Sequence, residues 1–203
     1  MPLSGPSTIS RDLFCYTPLV KPSLVIIGLG NPGASYGRTR HNVGFLAVDV
    51  LAQAFGEGEW KDRQKFLSLV QEGRIVTAPI LLLKPQTYMN LSGEAVRKIV
   101  DFYKLDPAKQ IIVCCDDIDL PLGTVRLRKS GGPGTHNGLK SVVEQIGENF
   151  PRLRIGMGPV PVGNDLATWV LSTLSAGEEE ELQAVFRTLP DRVRAFVMDG
   201  EEH

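Results

Sequence analysis

Residues 24–29 (LVIIGL) are an unbroken apolar stretch that runs directly into Gly30-Asn31-Pro32-Gly33. A strand that is apolar on both sides has no face for water, so it belongs in the middle of a sheet covered by helices on each side. Residues 111–115 (IIVCC) form a second such strand, ending at Asp116. Around these two, helical periods alternate with strand patterns. Val43, Leu46, Ala47, Val50, Leu51 and Ala54 recur at helix spacing over residues 43–55, and Ala95, Val96, Ile99 and Val100 do so in a helix predicted from a Ser92 cap to Tyr103. Residues 66–70 and 75–83 read as strands about a turn at Glu72-Gly73, 125–127 and 153–157 as further strands, and 136–146 as a helix. Ser175 caps a last helix with Glu178–Glu181 in its first turn, which Pro190 kinks or splits. The expectation is one α/β domain, a mixed sheet flanked by helices, over residues 23–203. Residues 1–22, Pro- and Ser-rich without a hydrophobic period, read as a flexible leader. Strand order is not legible at this level.

Several classes fall away. No apolar run approaches the roughly 20 residues that span a bilayer, and 42% hydrophobic with 22% charged residues excludes wholesale disorder. Cys15, Cys114 and Cys115 have neither disulfide nor metal spacing and read as thiols of a reducing compartment. The formal net charge of −1 hides an uneven layout. Residues 123–154 hold six Lys/Arg against two Glu, whereas residues 177–203 hold eight Asp/Glu against three Arg. A basic stripe on a near-neutral chain suits local contact with a polyanion, and equally an ordinary solvated face.

Four polar segments end the apolar strands, where open α/β sheets place their sites. In GLGNPGASYGRTRHNVGF (28–45), Gly28, Gly30 and Gly33 match a dinucleotide fingerprint with Asp49 near the acidic position, but Pro32 lies inside the turn and no helix follows at once. Gly33-x-Ser35-x-Gly37 matches a nucleophile elbow, with Asp116 and His136 in triad order, though Pro32 and Gly33 separate strand from serine. A third reading takes Asn31, His41 and Asn42 as the informative residues, because a neutral imidazole at a helix entry is what a general base must be. KPQTYMNLSGEAV (84–96) adds Tyr88 and Asn90. CCDDIDLPLG (114–123) gathers Asp116, Asp117 and Asp119, which fit a divalent metal or a single carboxylate orienting a base. RLRKSGGPGTHNGLKSV (126–142) joins a basic strand to a Gly-rich loop and the helix start His136-Asn137.

Together the four segments, in order and at matching spacing, resemble the bacterial-type peptidyl-tRNA hydrolase family from about Leu24 to Met198. The resemblance implies that family's α/β fold and cleavage of the ester between a peptide, or an N-blocked aminoacyl group, and the terminal ribose of tRNA. His41 in TRHNVGF matches the catalytic base, Asp116 its acidic partner, and Asn31 the residue distinguishing blocked from free aminoacyl ends. Asn90 and Asn137 match asparagines that bind substrate, and Tyr36 and Tyr88 match aromatics of the cleft. Arg126, Arg128, Lys140 and Arg154 fall where the family contacts tRNA phosphates. The resemblance further implies no cofactor, no metal, no membrane, no obligate protein partner, a monomer, and residues 23–203 as one hydrolytic domain. It fits the cytoplasm, with the mitochondrial matrix as the alternative. Three positions depart from the pattern: Cys115 where many members have histidine, Thr135 for a glycine, and Pro133 inside the Gly-rich loop.

Overall fold

The computed structural model describes residues 20–199; the sequence expectation of a leader at 1–22 lies almost wholly outside the described residues. The strands are β1 (Leu24–Gly28), β2 (Gly56–Arg63), β3 (Ser68–Ile75), β4 (Ala78–Pro85), β5 (Ile111–Pro121), β6 (Val125–Arg128) and β7 (Arg152–Gly158). The helices are α1 (Val43–Phe55), α2 (Ser92–Tyr103), α3 (Pro107–Gln110), α4 (Asn137–Ile146), α5 (Leu166–Leu171), α6 (Ala176–Phe186) and α7 (Leu189–Asp199). All seven strands join one mixed sheet in the order β2-β3-β4-β1-β5-β7-β6. The fully apolar β1 and the apolar first half of β5 sit side by side in its centre, parallel, with β4 parallel on the far side of β1. Burial on both faces is what their continuous hydrophobicity demands.

Two cores result. Ile26, Ile112 and Cys114 pack with Val43, Ala47 and Leu51 of α1 and with Leu189 and Val193 of α7. Ile27, Val113 and Cys115 pack with Val96 and Ile99 of α2 and Leu139 and Val142 of α4. Each large aliphatic side chain buried this way contributes about 1.5–3 kcal/mol before entropy is counted. No helix among the described residues is long and apolar enough to cross a membrane.

Several boundaries differ from the sequence expectation. The turn expected at Glu72-Gly73 lies inside β3, and the chain reverses after Ile75, at Val76 (φ 55°). Gly73 is required there by crowding, since a Cβ would lie 2.5 Å from the Phe55 carbonyl at the end of α1. Ser92 is the first residue of α2 rather than its cap, and its hydroxyl donates to the Met89 carbonyl. β2 was unforeseen because its sequence GEGEWKDR is that of a charged edge strand, which sheets use to discourage further pairing. The Ser175 capping box and the break between α6 and α7 beside Pro190 match expectation.

Candidate active site

β1 ends at Gly28, in register with Cys114 of β5, while β5 runs on through Asp116. Asp116 therefore stands just past the end of its neighbour, at the carboxyl edge where strand order reverses and α/β sheets bind ligands. The chain leaving β1 returns through a 3-10 turn, Arg40–Asn42, that leads into α1. This turn sets His41 over Asp116. His41 Nδ1 lies 2.8 Å from Asp116 Oδ1, and both residues are buried. Since Asp116 can only accept when ionised, the imidazole hydrogen sits on Nδ1 and leaves Nε2 with a free lone pair.

A second imidazole meets the same oxygen. His136 Nε2 lies 2.9 Å from Asp116 Oδ1, while its Nδ1 accepts the Leu139 N–H at 3.1 Å as the cap of α4. The two rings are tilted, with centroids 4.8 Å apart. Burial by itself would push the Asp116 carboxyl up, but the two imidazoles, His136 foremost, hold it well below the usual carboxylate range. Burial raises the Cys114 thiol to about 12, and burial with the Asp116 charge raises Cys115. Neither cysteine offers a thiolate nucleophile.

Among the described residues, His41, Asp116 and His136 form a group of metal-ligand type whose donor atoms lie within 4.8 Å of one another. Their hydrogen bonds are engaged internally, with both inner N–H groups on one oxygen and the outer nitrogen of His136 on Leu139. Asp116 thus fixes the orientation of both rings, and the arrangement can take up and hold a proton. Asp117, weighed from the sequence as a metal ligand, is instead 2.5 Å from the Arg154 guanidinium, and its Oδ1 accepts the Asp119 N–H.

A cleft of about 420 Å³ opens beside the pair. Its lining includes His41, Asp116, His136 and Asn137, the loop 130–135, the basic residues Arg128, Lys140, Arg152 and Arg154, and Leu166 and Val170 of α5. Arg126 faces Arg154 and Arg128 faces Arg152 across the β6–β7 ladder. Like charges placed opposite one another cost stability, a cost that the Asp117–Arg154 ion pair lessens on one of the two rungs. Arg126 itself is exposed and does not line the cleft.

Asn31, Tyr36, Tyr88 and Asn90 also lie outside that cleft. Asn31 is buried and stitches three segments together: its N–H donates to Asn42 Oδ1 (2.9 Å), its carbonyl accepts from Asn42 Nδ2 (2.9 Å), and its side-chain oxygen accepts the Met89 N–H (2.8 Å). None of these bonds uses the Asn31 carboxamide's Nδ2 hydrogens, and its oxygen spends one of two lone pairs. Through these bonds the turn carrying His41 is tied to the segment carrying Tyr88 and Asn90, both exposed. Ser35 lies exposed in a separate 3-10 turn, Ala34–Tyr36, with no strand–serine–helix elbow around it. Gly28, Gly30 and Gly33 likewise precede a 3-10 turn and not the helix a dinucleotide site requires.

Sequence reading missed two contributors. His136 was weighed only as part of a serine triad, although its place at a helix start signalled a cap. Arg40 precedes the base and is buried: its guanidinium holds both oxygens of Glu178 (2.6 and 2.7 Å) and the Ser172 carbonyl (3.2 Å), and it stacks 3.8 Å from the Trp169 ring centroid. It thereby fastens α5 and α6 to the turn bearing His41.

A buried, oriented imidazole–carboxylate pair at the switch point of a mixed sheet marks a candidate active site of an α/β protein. Comparison with known proteins narrows this. A family model described as peptidyl-tRNA hydrolase matches residues 25–203. The chain is 48% identical over 177 residues to a protein of Chloroflexus aggregans named peptidyl-tRNA hydrolase, covering 87% of this chain and 93% of that one. It is 48% identical over 185 residues to the chloroplastic peptidyl-tRNA hydrolase of Arabidopsis thaliana, covering 90% of this chain and 63% of that protein. A protein of rice named as mitochondrial is 45% identical over 183 residues, with 89% of this chain and 72% of that one covered. The crystal structure of the Acinetobacter baumannii peptidyl-tRNA hydrolase superposes with a TM-score of 0.82 at 37% identity, covering 87% of this chain and 89% of that one. This chain belongs to the peptidyl-tRNA hydrolase family, and it is a hydrolase.

Proposed function

We propose that this protein cleaves the ester joining a peptide, or an N-blocked aminoacyl group, to the terminal ribose of tRNA, using water activated by His41. The observation that carries the reading is the 2.8 Å His41–Asp116 bond in a buried setting, which leaves Nε2 free to take a proton. Water loses its proton to Nε2 and attacks the ester carbonyl. Asp116 stabilises the imidazolium that forms, as the buried aspartate does in serine hydrolases. Asn31, through its N–H donors, and Asn90 hold the water and the developing oxyanion, a donor of this kind being worth about 3 kcal/mol. Asn137 contacts the substrate near the ester, and Tyr36 and Tyr88 flank the terminal nucleotide and the peptide. His41 then returns the proton to the departing ribose oxygen. An ester gives up its ribose oxygen far more readily than an amide gives up its nitrogen, so the scheme needs neither a covalent intermediate nor a metal.

Arg128, Lys140 and Arg154 in the cleft, with Arg126 at its edge, bind tRNA phosphates and supply affinity without reading sequence. Asn31 selects the blocked amine, because a free ammonium would leave its donors unpaired. The protein works as a monomer without an obligate partner, as one hydrolytic domain from residue 23 onward, and its protonated thiols suit the cytoplasm or an equally reducing matrix.

The test is release of labelled N-acetyl-aminoacyl groups from tRNA by the pure protein. Release from the acetylated substrate, little from unacetylated aminoacyl-tRNA, and indifference to a serine-directed phosphonate are expected. Binding of tRNA without release would reduce the protein to an RNA-binding module.

A further inference from the structure

His136 has no part in the water activation just described, yet it shares the single oxygen that orients the base. We propose that His136 is a positioning residue: it pins the Asp116 carboxylate and moderates the hold of that carboxylate on His41. The proposal rests on His41 being the base.

The ring can play only one role. Leu139 N–H donates to Nδ1, so Nδ1 carries no hydrogen and the ring's one proton is on Nε2, pointing at Asp116. A second proton on Nδ1 would face the Leu139 N–H and the positive end of the ten-residue helix α4. His136 thereby presents its Nε2–H to Asp116 from a ring held at both ends. Its bond draws electron density from the oxygen that His41 Nδ1 also uses, so the pull of Asp116 on a charged His41 is weaker than in a lone pair. Other charges reach the same site from each packed element. They are Asp117 and Asp119 on β5, Arg128 on β6, Arg152 and Arg154 on β7, Lys140 on α4 and Asp165 at the start of α5. Asp117 is paired with Arg154, and Arg40 is paired with Glu178. None of these touches Asp116 as His136 does.

Substituting His136→Asn separates the two contacts. Asparagine is a favoured N-cap and keeps the Leu139 bond, but its amide is shorter than the imidazole and falls short of Asp116. The experiment measures the pH dependence of kcat/KM on N-acetyl-aminoacyl-tRNA and the titration of the His41 ring by NMR. In His136→Asn, the acid limb and the ring titration should move up together by about 0.5–1 pH unit, with the melting temperature nearly unchanged. His136→Gln, whose amide reaches further, should move them part of the way back. A limb and a ring titration that stay in place, or move down, in folded His136→Asn overturn the proposal. His41→Ala separates this from the wider reading: if that variant turns over normally, the base assignment fails first. The NMR titration reads the effect on His41 without any turnover.

Discussion

Replacing Arg40 with methionine should destabilise the fold measurably, because the guanidinium is the joint between the His41 turn and the two helices that follow β7. Methionine keeps much of the apolar stem but removes every N–H. The Arg40 side chain is 6% exposed and that of Glu178 19%, so the pair is largely desolvated. Breaking such a pair from one side costs about 3–5 kcal/mol when the other charge is stranded. Glu178 would not be wholly stranded. Its carboxylate keeps the Ser175 N–H (2.8 Å) and hydroxyl (2.7 Å); burial pushes its pKa up, but those bonds and Arg40 outweigh that and hold it below its ordinary range. The loss is therefore about 2–3 kcal/mol, and at about 2–4 °C per kcal/mol for a chain of this size the melting temperature should drop by about 5–10 °C. Thermal and denaturant unfolding followed by circular dichroism measure it. Adding Glu178→Gln, which retains the capping pattern, should recover part of the loss by removing the stranded charge. A drop under about 1 °C, or a double variant no better than strict additivity, would refute the reasoning.

Other outcomes follow from single contacts. Gly44→Ala should disrupt folding, because a Cβ there meets the Cys114 carbonyl and lies 2.5 Å from the Leu29 carbonyl, both backbone, forcing α1 off the sheet at a cost of at least about 3 kcal/mol; soluble yield and melting temperature report it. Arg128→Gln should weaken tRNA binding, leave kcat unchanged, and reduce the log–log salt slope by about 0.7–0.9, read by filter binding across a salt series. Asp116 is held low in the fold, so its stabilisation is complete above the unfolded carboxylate value near pH ~3.9 and is lost as pH falls towards its folded value. Denaturation at pH 5 and at pH 2.5 should then show the parent losing more stability than Asp116→Asn.

Much of the fold is legible in local pattern. The apolar runs that became β1 and β5 have no polar side, so only the sheet centre can hold them, and the helix periods of α1 and α4 fall where the structure puts them. The hairpin between β3 and β4 is not legible in this way. Gly73 resembles a turn glycine but is there because the Phe55 carbonyl passes close by, while the reversal uses Val76, a residue type with no turn preference. β2 hides because edge strands are written in charged residues. At the site, His41 and Asp116 are each visible as polar residues after apolar strands, but 75 positions separate them, and only strand order brings them to 2.8 Å. His136 escaped because its two bonds, one to a carboxylate and one to a backbone N–H, look from sequence like an ordinary helix cap. Departures at Pro133 and Thr135 sit in the loop lining the cleft, where nothing in the structure explains the choice.

The proposed chemistry depends most on His41 acting as the proton acceptor, and single-turnover release of N-acetyl-aminoacyl groups by His41→Ala tests that directly. With tRNA affinity held within about twofold of the parent, release should slow by about 10²–10⁴, the usual contribution of a positioned base. Release at more than about a tenth of the parental rate would contradict it.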